Sequence, residues 1–264
     1  MVPPATRLAD MTSIQCIILA GGLGTRLRQV VNDQPKALAE IGRKPFLYYQ
    51  ISFLARYGIK EIVLCTGHLG HMIRDYIQKE RNGCEDLFKN MDIKFSDEGD
   101  LLLGTGGALK RAKHLLDDRF FLLNGDTLFL SDLNEIVKNH FGAFSDITIG
   151  LTEVNDSKRY GTVNLQDQKR KLSRILSFSE KEETNTQIEK LSVISAGLYL
   201  IEKMSIDWQA LPEKFSLEKD LLPVMVAEKR AFGYLDSRAY FIDMGTPEGY
   251  NRLREDVSKD KIPV

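Results

Sequence analysis

The segment Ile14 to Leu19 is a near-continuous apolar run that stops at Ala20-Gly21-Gly22. A run of this kind, closed by glycines, reads as a strand buried on both faces, and such strands belong to parallel sheets covered by helices. The pattern then repeats. Phe46 to Tyr57 carries apolar residues at helical spacing, Glu61 to Thr66 is a second buried strand, and Met72 to Ile77 is helical. Met91 to Phe95 follows as a short strand, a Gly-rich loop leads into a helix from Ala108 to Leu116, and Phe120 to Leu123 is a strand that ends at Asn124-Gly125-Asp126. Successive β–α units imply right-handed crossovers and a doubly wound, Rossmann-like α/β sheet, mixed but mostly parallel. Ligands of such sheets bind beyond the carboxyl ends of the strands, so segments 20–26 and 124–127 are expected to meet at one site.

After Gly142 the pattern turns towards β structure. Asp146 to Leu151, Gly161 to Leu165, Leu172 to Phe178 and Val193 to Ile201 read as strands, with a hairpin near Gln166 to Lys169 and a polar loop over Glu180 to Gln187. A helix capped by Ser216, two short strands at Phe232 to Leu235 and Tyr240 to Ile242, and a helix from Pro247 complete the chain. The expected organisation is an N-terminal extension over 1–13 and one domain over 14–258, divided into halves at 14–142 and 143–258, the second a small β-rich lobe.

Composition narrows the function. The 36 Lys+Arg against 37 Asp+Glu give a net charge of −1, with no basic cluster to bind a phosphate backbone, so nucleic acid is not an expected partner. No stretch approaches the roughly 18 apolar residues of a membrane span. Cys16, Cys65 and Cys84 are odd in number and lack metal-ligand spacing, and the N-terminus lacks a secretory apolar core; both point to the cytoplasm.

The chemistry begins at Leu19-Ala20-Gly21-Gly22-Leu23-Gly24-Thr25-Arg26. Glycines after a buried strand let backbone N–H groups approach phosphate oxygens, and Arg26 adds a bidentate anion donor. The loop lacks the third glycine of a dinucleotide fold and the Gly-Lys-Ser/Thr of a P-loop. Lys36, stiffened by Pro35, is placed to reach the same phosphates. Asp126 and Asp243 each follow an apolar strand next to a glycine, a setting that suits a Mg2+ sharing oxygens with a substrate. Taken alone, each of these residues also has a structural reading as a tight turn, a surface charge or a helix cap.

These segments, with Pro35-Lys36-Ala37-Leu38, Lys44-Pro45-Phe46-Leu47, Leu103-Gly104-Thr105-Gly106-Gly107-Ala108 and Ile242-Asp243-Met244-Gly245-Thr246-Pro247, closely resemble the sugar-1-phosphate nucleotidyltransferases from about Ile14 to Tyr250. Within that family the chain looks most like short bacterial guanylyltransferases for D-glycero-α-D-manno-heptose 1-phosphate, and next like mannose-1-phosphate guanylyltransferases. One departure is Gln29, where many relatives have Pro. The resemblance implies a nucleotide-diphospho-sugar transferase fold and a lone catalytic domain without acetyltransferase or allosteric extensions. It implies transfer of a nucleoside monophosphate from an NTP to a sugar 1-phosphate with loss of pyrophosphate, assisted by Mg2+.

By the same resemblance Arg26 holds the triphosphate, Lys36 neutralises charge at the α-phosphorus, and Asp126 and Asp243 share the metal. Leu19, Ala20, Gly21, Gly22, Gly24, Thr25, Gly104, Thr105 and Asn124 surround the nucleotide; Glu98 falls where relatives read the base and favours GTP. Gly161, Glu180, Lys181 and Ser195 line the site for the sugar phosphate. A uridylyl- or thymidylyltransferase and a non-catalytic sugar-nucleotide sensor stand as alternatives, and a homo-oligomer is compatible with the sequence.

Overall fold

The computed structural model describes residues 14–22, 24, 27, 31, 33–83, 86–155, 160–179 and 191–262. The expected N-terminal extension, the loop over 180–187 and Cys84 lie outside them.

Strand β1 (Gln15–Leu19) is entirely buried. Its alternate residues face opposite ways, as the period of a strand requires. Ile17 and Leu19 enter one core cluster, Cys16 and Ile18 another. A 3-10 turn at Lys36–Leu38 and the short β2 (Glu40–Ile41) and β3 (Lys44–Pro45) lead into α1 (Phe46–Arg56). There follow β4 (Glu61–Thr66), α2 (Gly70–Asn82), α3 (Asp86–Lys89), β5 (Asp92–Asp97), α4 (Gly104–Ala112) and β6 (Arg119–Asn124).

β1 pairs in parallel with β4 on one side and β6 on the other, and β4 with β5. The chain therefore builds outward from β1 to β4 and β5, then returns to place β6 across β1. The point where that order reverses, between β1 and β6, is where a doubly wound sheet opens a crevice.

The chain goes on with β7 (Thr127–Leu130), α5 (Leu133–Gly142) and β8 (Ile147–Val154). It continues through β9 (Thr162–Leu165), β10 (Leu172–Ser179), β11 (Ser192–Glu202), α6 (Leu222–Glu228), β12 (Ala231–Leu235), β13 (Tyr240–Asp243) and α7 (Pro247–Ser258). The described sheet runs β5-β4-β1-β6-β11-β8-β12-β10-β9. β11 enters antiparallel to β6 and to β8, β8 and β12 pair in parallel, and β10 is antiparallel to both β12 and β9, so the expected mostly parallel sheet is so only from β5 to β6. β13 lies outside that sheet, antiparallel to β7. A third apolar cluster, including Ile41, Phe46, Leu128, Ile242, Tyr250 and Leu253, holds β7, β13 and α7 against β2 and α1.

Several elements differ from the sequence reading. α4 starts at Gly104 rather than Ala108, so the expected Gly-rich loop is the helix's first turn. The glycines are required there by close approach: Cβ atoms on Gly106 and Gly107 would overlap the Phe215 ring and Glu213 O. Gly106 N and Gly107 N both donate to Phe215 O, at 3.1 and 3.3 Å, which satisfies N–H groups that a helix start otherwise leaves unpaired. Ser216 does cap its helix, accepting from Lys219 N at 3.2 Å, but the first turn over Leu217–Leu221 is a π-turn before α6 begins. α5 is an element beyond those expected; its start is fixed by Asp132, which accepts from Asn134 N and Glu135 N as an N-cap. Buried His140 on α5 lies 2.8 Å from Thr148 Oγ1 and 3.0 Å from Glu202 Oε1, tying α5 to the sheet.

Gly125 follows β6 directly, and a Cβ there would overlap the carbonyl oxygen of Leu19 at the end of β1. The two strand ends thus touch through a missing side chain. Gly125→Ala is expected to cost about 1–3 kcal/mol, the usual range for overpacking, read as a lowered urea midpoint with an unchanged m-value.

Candidate active site

The carboxyl ends of β1 and β6 open into a cavity of about 750 Å3. Its floor is the pair of strand exits, Leu19 to Gly22 with Gly24 on one side and Asn124 to Thr127 on the other. Segments 20–26 and 124–127 therefore meet, as far as they are described. Glu98, after β5, lines one part of the wall; Gly104 and Thr105 of α4, Gly161, Ser195 and Asp243 line others. Of the residues singled out from sequence, Thr25, Arg26, Glu180 and Lys181 lie outside the described residues. All the others line this one cavity.

At one end, Lys36 Nζ donates to Asp126 Oδ2 at 3.1 Å. Gly24 has φ +63°, and a Cβ on it would come within 2.8 Å of Lys36 Cγ, so the glycine both makes the turn and lets the lysine stem pass. Asp243 Oδ1 accepts from Gly245 N at 2.7 Å. A Cβ on Gly245 would lie 2.8 Å from Asp243 Oδ1, 3.1 Å from Asp126 Oδ2 and 3.4 Å from Lys36 Nζ. Two carboxylates and an ammonium thus converge on one small space that only a glycine leaves open. Met244 N donates to Asp126 O at 2.9 Å, so the two aspartate segments are joined by backbone as well. The donor set fits a hard cation that takes oxygen ligands, since the carboxylates of Asp126 and Asp243 face a common point. A cation held here would complete its shell from water and substrate oxygens, as Mg2+ commonly does.

At another wall Glu98 is only 7% exposed. Its Oε1 rests against Gly21 and Gly67, where Cβ atoms would stand 3.0 and 2.9 Å away, and Oε2 accepts weakly from Leu103 N at 3.4 Å. Burial pushes the carboxyl above the ordinary glutamate range, an effect that the Leu103 N–H and the Arg111 charge only partly offset. The side chain is thus a buried acceptor pair with little protein to satisfy it.

The third region lies towards the β-rich half, where Tyr160, Gly161, Phe178, Ser195 and Tyr199 line the cavity. Ser195 Oγ donates to Tyr199 OH at 3.1 Å across an irregularity in β11, whose pairing with β8 shifts register between Ser195 and Tyr199. Glu218 and Lys214 also line the cavity, from the segment that packs on α4. Glu218 Oε2 accepts from Thr105 Oγ1 at 2.7 Å and from Ser216 Oγ at 3.0 Å. Phe178, Tyr199 and Lys214 are not site candidates from the sequence, whereas Glu218 falls in Phe215 to Asp220, a segment that resembles heptose-type relatives. Tyr199 reads there as one more buried strand residue, while Glu218 carries a trace in the polar start of a capped helix.

Among the described residues no helix is long and apolar enough to cross a membrane. The family model for nucleotidyl transferases matches residues 15–260. A D-glycero-α-D-manno-heptose 1-phosphate guanylyltransferase of Aneurinibacillus thermoaerophilus is 37% identical over 245 residues, covering 92% of this chain and 98% of the relative. The enzyme of the same name from Campylobacter jejuni is 38% identical over 237 residues, covering 90% and 97%. The crystal structure of HddC from Yersinia pseudotuberculosis complexed with GMP-PN is 32% identical, with a TM-score of 0.75 over 92% of this chain and 99% of that one. A family model spanning almost the whole described chain and relatives matched over nearly their full length establish that this chain belongs to the nucleotidyl transferase family.

Proposed function

We propose that the chain is a sugar-1-phosphate guanylyltransferase that transfers GMP from GTP to D-glycero-α-D-manno-heptose 1-phosphate, giving GDP-heptose and pyrophosphate. The observation that carries this reading is the joining, in one crevice, of the Lys36, Asp126 and Asp243 cluster with the buried acceptor pair of Glu98. The choice of acceptor follows the relatives that are similar to this chain over nearly their full length. Residues 14–142 would hold the nucleotide and 143–258 the sugar.

In this reaction an oxygen of the sugar phosphate attacks the α-phosphorus in line, a P–O bond forms, and the bond to pyrophosphate breaks. The nucleophile is already an anion, so no general base is needed, and catalysis reduces to alignment and charge neutralisation. Lys36 Nζ, held by Asp126, stands ready to turn to an α-phosphate oxygen. Backbone N–H groups at Gly21, Gly22 and Gly24 approach the phosphates without side chains in the way. Asp126 and Asp243 are the residues that would hold a Mg2+, which when bound withdraws charge from the phosphate oxygens. Arg26 on the triphosphate, and Lys181 with Glu180 on the sugar phosphate, complete the site by family resemblance. Gly161 and Ser195, with Tyr199 behind them, line the space left for the heptose.

Guanine presents two donors side by side, N1–H and the 2-amino group, and an ionised carboxylate is the side chain that accepts both. Glu98 fits that need, since its oxygens are buried and nearly unpartnered. Buried free Cys16 and Cys65 suit a reducing cytoplasm.

With Mg2+ present, pyrophosphate release is expected for GTP with the heptose 1-phosphate above all other pairs drawn from five NTPs and the heptose, mannose, glucose and N-acetyl sugar 1-phosphates. Preference for mannose 1-phosphate or for UTP or dTTP would replace the specificity, and silence across the matrix would favour a sensor. Asp126→Asn and Asp243→Asn are each expected to cut turnover by about 100-fold or more with the fold intact by circular dichroism. Wild-type rates in both would remove the metal assignment. Glu98→Gln is expected to lower kcat/KM for GTP by roughly 100-fold, because one acceptor becomes a donor facing the guanine amine. Its pH behaviour carries the sign of the shift: guanine needs the ionised form, so wild-type affinity for GTP falls as pH drops through the raised pKa. Ionisation of Glu98 opposes folding as pH rises through the same window, so Glu98→Gln should melt higher than wild type at neutral pH.

A further inference from the structure

Gln50 lies in the middle of α1 and is 0% exposed. Its neighbours in the helix, Leu47, Tyr49, Ile51 and Leu54, are all buried too. An apolar residue of similar size would suit that environment. Instead the Gln50 amide reaches out of α1 and under the end of β6, where Nε2 donates to Asn124 O at 2.8 Å and to Thr127 O at 3.0 Å.

Those two carbonyls bracket Gly125 and Asp126. Both are acceptors, so the amide can face them only with its NH2 group, and its orientation is fixed. The consequence is that Gln50 Oε1 is buried without a hydrogen-bond partner among the described residues. A buried amide oxygen left unpaired lowers stability. A side chain kept for stability alone would be expected to avoid that arrangement.

The held turn is connected to the rest of the site. Met244 N donates to Asp126 O at 2.9 Å, so the backbone that Gln50 fixes also anchors the segment carrying Asp243 and Gly245. Gly197 of β11, at φ +71°, would bring a Cβ to 2.5 Å from Thr127 Oγ1 and 3.1 Å from Asn124 Cβ, so β11 also packs closely on this turn. Of these contacts, Gln50 supplies the side-chain hydrogen bonds that span Gly125 and Asp126.

We propose that Gln50 is a positioning residue: its amide clamps the Asn124–Thr127 turn from beneath and so sets Asp126 against Asp243 and Lys36 at the spacing that a cation and the α-phosphate require. This rests on the guanylyltransferase reading above, in which Asp126 and Asp243 hold the cation.

The test uses the full chain with Gln50→Met, which keeps the volume and loses the donors, and Gln50→Asn, which draws the amide back by one methylene. Melting temperature, Mn2+ affinity measured by electron paramagnetic resonance with a non-hydrolysable GTP analogue, kcat, and KM for the sugar phosphate are read for each. Gln50→Met is expected to melt within a few degrees of wild type while Mn2+ binds about tenfold more weakly. Turnover should fall about 100-fold, the scale set by an ångström of misalignment, with KM for the sugar phosphate within about twofold of wild type. Gln50→Asn should show the same pattern. Either variant folding with wild-type Mn2+ affinity and kcat overturns the proposal. So does failure of both to fold, or a loss of melting temperature with cation affinity unchanged, since these assign Gln50 to stability. Asp126→Asn run alongside separates the two readings: wild-type turnover in that variant removes the site itself, whereas its loss beside a normal Gln50→Met removes only the role of Gln50.

Discussion

The parallel pairing of β1 between β4 and β6 is the constraint on which the rest of this molecule depends. A strand buried on both faces accepts a polar side chain only where the protein satisfies it, as Leu115 O does for Gln15 at the start of β1, so the polar groups of the crevice lie beyond the carboxyl ends. At the carboxyl ends the chain must turn, and the switch of direction between β1 and β6 leaves the two turns facing each other across a gap. Glycines decide how close they come. Gly125 meets the Leu19 carbonyl, Gly24 admits the Lys36 stem, and Gly245 leaves space at the meeting of Asp126, Asp243 and Lys36.

Electrostatics at this crevice are local. A chain of net charge −1 holds opposite charges in contact: Lys36 against Asp126, with the carboxylate of Asp243 beside them. Such a cluster is balanced in itself, and its charges lie where the two strand exits meet. Glu98 is the contrasting case, a carboxyl buried against two glycines and a single long N–H contact. Its raised pKa follows from that burial, which disfavours the charged form.

Much of the fold was legible because it rests on local patterns. The buried strands β1, β4 and β6 appear as apolar runs, α1 as a helical period, and the strand exits as glycine beside an acid or a basic residue. What was less legible had a tertiary cause. Gly104, Gly106 and Gly107 read as a loop, yet they open α4, because the segment at Phe215 packs where their side chains would be. The turn before α6 reads as an ordinary capped helix start, but it is a π-turn, and Glu218 within it reaches Thr105 across 113 positions of chain.

The sequence by itself therefore determined the doubly wound first half and the residues that carry charge at its strand ends, because period, apolarity and glycine placement act over a few residues. It also carried the family, through motifs spread along the whole chain. Tertiary structure alone decided that Tyr199, Phe178 and Glu218 share a cavity with Glu98 and Asp126, that β13 leaves the large sheet to pair with β7, and that a glutamine inside α1 holds the Asp126 turn. Each of these depends on contacts between segments far apart in the chain. A polar residue in an apolar helix looks like an irregularity until the carbonyls it serves are brought against it.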